Sequence, residues 1–216
     1  MLAGRYFHDT AWDQAYITNK NIKFLKLKKM KNKLYFIVIM AVILSVLNSC
    51  KKDDPVIPNE EEVITTLIYT LTPSQGGTPK VLKFQDLDGD GGNAPVISTD
   101  TLDANTIYTG QLELLNEQET PADTTTNEIR DENQEHQFFF EASPNLTITV
   151  NYNDTDPDGN PVGIENILTT GEASSGTLTI ILRHQPDKFA TGVSQGDITN
   201  AGGETDIQVE FDVIIQ

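Results

Sequence analysis

Period-two alternation of apolar and polar residues runs through the chain beyond residue 62. Ile207, Val209, Phe211, Val213 and Ile215 alternate with Asp206, Gln208, Glu210 and Asp212, the pattern of a strand with one dry and one wet face. Leu146, Ile148, Val150 and Tyr152 alternate in the same way with Thr147, Thr149, Asn151 and Asn153. Val63, Leu67, Tyr69 and Leu71 make a third such face, and Tyr108, Leu112 and Leu114 a fourth. Shorter strand candidates lie at 81–84, 137–141 and 177–182, and clusters of Gly, Pro, Asp and Asn at 73–79, 86–95, 154–163, 171–176 and 192–203 separate the strands. About seven short strands with wet outer faces predict an all-β fold, a single antiparallel β-sandwich of immunoglobulin-like architecture, with a β-barrel as the alternative. Residues 124–136 form the one helical candidate, with Asp123 or Thr124 as cap and Glu128, Glu132 and Glu135 compatible with a helix. Ile129 is nearly its sole apolar residue, so the expectation is a short surface helix or a polar loop.

Upstream the pattern changes to an apolar run, 34–47, with Ser45 as its one small polar residue, preceded by Lys31 and Lys33 and followed by Asn48-Ser49-Cys50. A short positive region, an apolar core of this length and a small residue before the break describe an export signal. The competing reading is a transmembrane helix, but the run falls short of the ~20 apolar residues needed to span a bilayer, and no positive stop-transfer cluster of any size follows. The Leu47-Asn48-Ser49-Cys50 ending resembles the lipobox of bacterial lipoproteins, whose cysteine becomes the first residue of the mature chain and carries the acyl groups. Cys50 is the single cysteine of the 216 residues, so no intramolecular disulfide can form. The expected organisation is 1–29, an over-extended gene model or a basic leader with translation starting at Met30; 30–49, a lipoprotein signal peptide; 50–62, a charged tether; and 63–216, the sandwich.

In the tether, Lys51, Lys52, Asp53 and Asp54 follow Cys50, and Pro55, Pro58 and the run Glu60, Glu61, Glu62 keep it extended and solvated. This start resembles the N-termini of Bacteroidota surface lipoproteins. The implied location is the outer membrane, held by lipid and either facing the periplasm or displayed on the surface. From Cys50 onward, seven Lys or Arg stand against thirty Asp or Glu, a net charge of −23. Nucleic acid is excluded as a partner, because no basic face can be assembled from seven scattered cations. Acidity keeps an anchored protein soluble and also suits divalent cations.

Two loops could carry chemistry. Asp154, Asp156, Asp158, Gly159, Asn160 and Glu165 satisfy the spacing D-x-D-x-D-G-x5-E in full. Oxygens at alternate positions wrap a hard cation, the glycine permits the sharp turn, the Asn160 carbonyl points inward and Glu165 closes the site. The twelve residues resemble the EF-hand calcium loop, which makes calcium the expected cofactor, although strand instead of helix precedes them and Pro157 and Pro161 stiffen them. Asp86, Asp88 and Asp90 repeat the first half of the pattern, but Ile97 falls where the closing acid belongs. The bland reading of both is an acidic β-turn.

No nucleophile elbow, H-E-x-x-H helix or phosphate-cradling glycine loop occurs, so no catalytic residue is assigned. His136 and His184 are the histidines downstream of Cys50 and have Glu132, Glu135 and Asp187 near them in sequence. Such a pair can bind a transition metal, but two in this length is ordinary and the expectation is surface histidines at strand ends. The stretches 84–92 and 201–207 resemble a family of small Bacteroidota envelope lipoproteins of unknown function. Some of its members carry a type 1 periplasmic-binding-fold label, and the single helix candidate here disagrees with the repeated helices of that fold. The function expected is a lipid-anchored binding or structural module, calcium-stabilised, whose partners are the membrane through Cys50 and a glycan, a small solute or an envelope protein. The alternative is an envelope hydrolase using paired carboxylates.

Overall fold

Nine strands, one α-helix and two 3-10 turns occupy the residues that the computed structural model describes, 62–89 and 91–216. In chain order they are β1 (Thr66–Pro73), β2 (Lys80–Gln85), β3 (Val96–Thr99), β4 (Ile107–Leu115), α1 (Thr125–Asp131), β5 (His136–Ala142), β6 (Ile148–Tyr152), β7 (Glu165–Thr170), β8 (Ser174–His184), the 3-10 turns Val193–Gln195 and Ile198–Asn200, and β9 (Glu204–Ile215). The segments 1–29 and 30–49, Cys50, and the tether up to residue 61 lie outside the described residues, as does Asp90. Everything described falls within one compact unit, Asn59–Gln216.

The strands form two antiparallel sheets, one of six in the order β3-β2-β1-β4-β7-β6 and one of three in the order β5-β8-β9. The alternation read from the sequence decides which faces meet. Leu67, Tyr69 and Leu71 of β1, Tyr108, Leu112 and Leu114 of β4 and Leu168 of β7 turn inward from the large sheet. Phe138 of β5, Leu178, Ile180 and Leu182 of β8 and Val209, Phe211, Val213 and Ile215 of β9 meet them from the small one. The architecture is therefore the expected all-β sandwich, and neither sheet closes into a barrel. The small sheet is also covered on part of its outer face, where Phe139 and Ile181 pack with Val193 and Ala201 from the connection between β8 and β9.

Two of the nine strands escaped the pattern. β3 is a four-residue edge strand with Val96 and Ile97 exposed, so it has no dry face to announce it. β7 buries Asn166, Leu168 and Thr170, which puts polar residues where the pattern demands apolar ones. The expected surface helix is α1, but Ile129 is fully buried in the core. Thr126 pins the helix to β4, its hydroxyl accepting from Leu114 N–H at 2.6 Å and donating to the Leu114 carbonyl at 3.2 Å.

Asn166 is accommodated because Tyr69 reaches it across β4: the phenol donates to Asn166 Oδ1 at 2.5 Å, and Asn166 Nδ2 donates to the Gly163 carbonyl at 3.2 Å. The crossing point is Gly110, paired with Asn166 in the β4–β7 ladder. A Cβ there would collide with Asn166 Oδ1 and stand 2.7 Å from Tyr69 Oη, so the bridge requires glycine. Gly110→Ala should destabilise the fold by about 1–3 kcal/mol through overpacking, and Tyr69→Phe by a similar ~1–3 kcal/mol by leaving a buried amide oxygen unpaired. Urea unfolding measures both; a loss under about 0.5 kcal/mol in each, the level of an ordinary surface substitution, would remove the bridge as a determinant of β7.

Candidate functional site

The acidic loop between β6 and β7 is built around an internal cation. Lys188, in the connection after β8, has its side chain 3% exposed, and its ammonium donates to Asp156 Oδ2 at 3.1 Å, the Pro161 carbonyl at 3.1 Å and the Asn133 carbonyl at 2.5 Å. Those three acceptors match the three protons of an ammonium. Burial pulls the Lys188 pKa below its usual value, and Asp156 acts against that shift. The other Asp156 oxygen accepts from the Asp158 and Asn160 N–H groups at 3.0 and 2.9 Å, while Asp154 accepts from Gly163 N–H at 2.7 Å and Glu165 N–H at 2.9 Å.

The rest of the expected calcium set points elsewhere. The Asn160 carbonyl, expected to face a metal, accepts from Asp156 N–H at 2.8 Å. Asp158 accepts from Gln134 at 2.7 Å, and Glu165, the first residue of β7, lies 3.5 Å from Arg130. Gly159 does take the left-handed conformation the spacing required, with φ +85°. The turn is legible in the sequence and its occupant is not, because Lys188 is 32 residues away from Asp156. In the second loop Asp86 accepts from Gly89 N–H at 3.0 Å and Asp88 from Asn93 N–H and Nδ2 at 3.0 and 2.7 Å, bonds that hold the Asp88 carboxyl below its usual pKa. Ile97 stands in β3, away from any closing role.

The more concentrated chemistry lies at one end of the small sheet. His136 opens β5, His184 closes β8, and the two are cross-strand partners with ring centroids 4.5 Å apart. They are not surface histidines: the residues are 0% and 4% exposed, because each continues the inward-facing row of its strand, Phe138 and Phe140 for one, Ile180 and Leu182 for the other.

A bulge in β9 brings the third member. The β8–β9 register runs Leu182↔Ile207 and then Arg183↔Thr205, so Asp206 is the extra residue of the ladder. A bulge re-aims the side chain it carries. Asp206, wet by alternation, turns inward until its side chain is 3% exposed, with Oδ2 3.7 Å from His136 Nε2 and Oδ1 3.7 Å from His184 Nδ1. On the far side of His184, Nε2 lies 3.7 Å from Glu135 Oε2. Burial lowers the His136 pKa, whereas burial and a hydrogen bond with Glu128 push the Glu62 carboxyl up to about 7. Glu62 and Glu132 also approach His136, within 4.8 Å between potential ligand atoms. Among the described residues, this group and His136-His184-Asp206 are the two sets of three such side chains close enough to hold a metal; the carboxylates of the β6–β7 loop do not form one. Both histidines stand out in the sequence as candidate ligands, whereas the only signal Asp206 carries is its place at the start of an alternating run.

Searched against protein-family models, curated proteins and solved structures, the chain has no significant match in any of the three. The Lys188 clasp supports a direct test. Lys188→Met leaves the Asp156 carboxylate buried without its counter-charge and should lower stability by about 3–5 kcal/mol. Adding Asp156→Asn should recover part of that loss, a coupling that urea unfolding of the two single variants and the double variant would measure; strictly additive losses would show that the pair does not act as a unit.

Proposed function

We propose that the protein is a lipid-anchored module of the bacterial cell envelope with a binding or structural role, carried outside the cytoplasm by its apolar segment and held at the outer membrane through Cys50. The observation that carries this reading is the position of the single cysteine, directly after an apolar run and a small residue and ahead of a charged tether. The sandwich supports it, since β1 begins at Thr66, a short tether's length beyond Cys50. Among the described residues no helix is long and apolar enough to cross a membrane. Connections at the ends of the sheets offer the surface for a glycan, a small solute or an envelope protein.

Calcium has no part in this reading, because the loop that suggested it encloses the Lys188 ammonium. A saturable rise in melting temperature at millimolar calcium, lost in Asp156→Asn with Glu165→Gln, would restore it. For the anchor, Cys50→Ser expressed in a lipoprotein-processing bacterium should move from the membrane fraction to the soluble fraction and lose labelling by a palmitate analogue. Retention of the variant in the membrane would show that the apolar segment itself is the anchor and overturn the lipoprotein reading.

A further inference from the structure

The His136 ring is held in one tautomer. Its Nδ1 lies 3.2 Å from the Glu132 carbonyl, and since a carbonyl oxygen only accepts, Nδ1 carries the proton. In the neutral ring Nε2 therefore presents a lone pair. That atom is fully buried, makes no hydrogen bond, and faces an Asp206 oxygen at 3.7 Å. A buried ring nitrogen that presents a lone pair and receives no hydrogen bond is unfavourable unless a proton or a metal ion reaches it. We propose that His136 Nε2, His184 Nδ1 and the Asp206 carboxylate bind one divalent transition-metal ion of the zinc class.

The dimensions suit such an ion. A tetrahedral site with bonds of about 2.0–2.2 Å separates its ligand atoms by about 3.3–3.6 Å. Both imidazole-to-carboxylate separations are 3.7 Å, so a few tenths of an ångström of adjustment close the site. The surroundings match as well: metal-bound histidines donate their second ring N–H to a carbonyl or carboxylate, and here the Glu132 carbonyl and the Glu135 carboxylate stand on those sides. Two imidazoles and a carboxylate favour zinc, cobalt or nickel over calcium and magnesium, which prefer an all-oxygen shell. His184 also lines a surface depression with Gln185, Gly203 and Glu204.

The test uses the untagged full-length chain in detergent, stripped with chelator and titrated with cobalt(II). The expected result is one equivalent bound with visible d–d absorption, displaced by zinc and left unchanged by millimolar calcium or magnesium. Asp206→Asn and His184→Gln, close in shape to the native side chains, should each weaken binding at least about tenfold, with far-UV circular dichroism confirming that they fold. Asp88→Asn, in a distant exposed loop, should bind as the native protein does. Absence of binding by the native chain, or absorption that persists in the folded Asp206→Asn and His184→Gln variants as it would if His8 or Cys50 held the ion, overturns the proposal.

Discussion

Water is excluded from the layer between the two sheets, and every polar group carried into that layer must find its partner there. This constraint connects features far apart in the sequence. Tyr69 and Asn166 satisfy one another across Gly110, and Lys188 satisfies Asp156 behind the β6–β7 turn. His136, His184 and Asp206 meet at the end of the small sheet. The apolar rows supply the drive to bring the sheets together, whereas these polar pairings discriminate among the ways of doing so. A slip of β7 by one residue would take Asn166 off the buried face and leave Tyr69 facing nothing that could accept its proton.

The small sheet shows how a regular ladder acquires chemistry. Along most of β8 and β9 the pairing brings Leu178 opposite Phe211 and Ile180 opposite Val209, which is packing and nothing more. Past Leu182 the ladder shifts and an acid joins the inward row beside two imidazoles. Helix α1 and the segment after it contribute from outside the sheet, since the Glu132 carbonyl fixes the His136 ring and Glu128 engages Glu62. The site is thus assembled from the ends of β5 and β8, a defect in β9 and the tail of a helix.

What could be read from the sequence follows from which forces are periodic. Burial of apolar side chains is periodic, so seven strands and the sandwich were legible in the alternation of rows such as Ile207 to Ile215. β7 was not, because Asn166 and Thr170 occupy its dry face and are stabilised by partners elsewhere in the chain. Gly159 and the acids around it were legible as a turn, since turn chemistry is local, but the cation they enclose came from beyond β8. Asp206 was assigned to the wet face because alternation assumes an unbroken ladder, and a bulge is a break that leaves no mark in the composition of the strand.

That break has a consequence for heredity. On either side of Asp206 the strand β9 runs in opposite phase, with Ile207 to Ile215 keyed to the core and Glu204 and Thr205 keyed to the end of β8. Loss of a single codon at the bulge would let the two halves join as one regular ladder, keeping the apolar row intact while deleting the acid. Fold and chemistry in this strand are therefore inherited on separate terms, and a lineage could shed the acid in one step while keeping the apolar row.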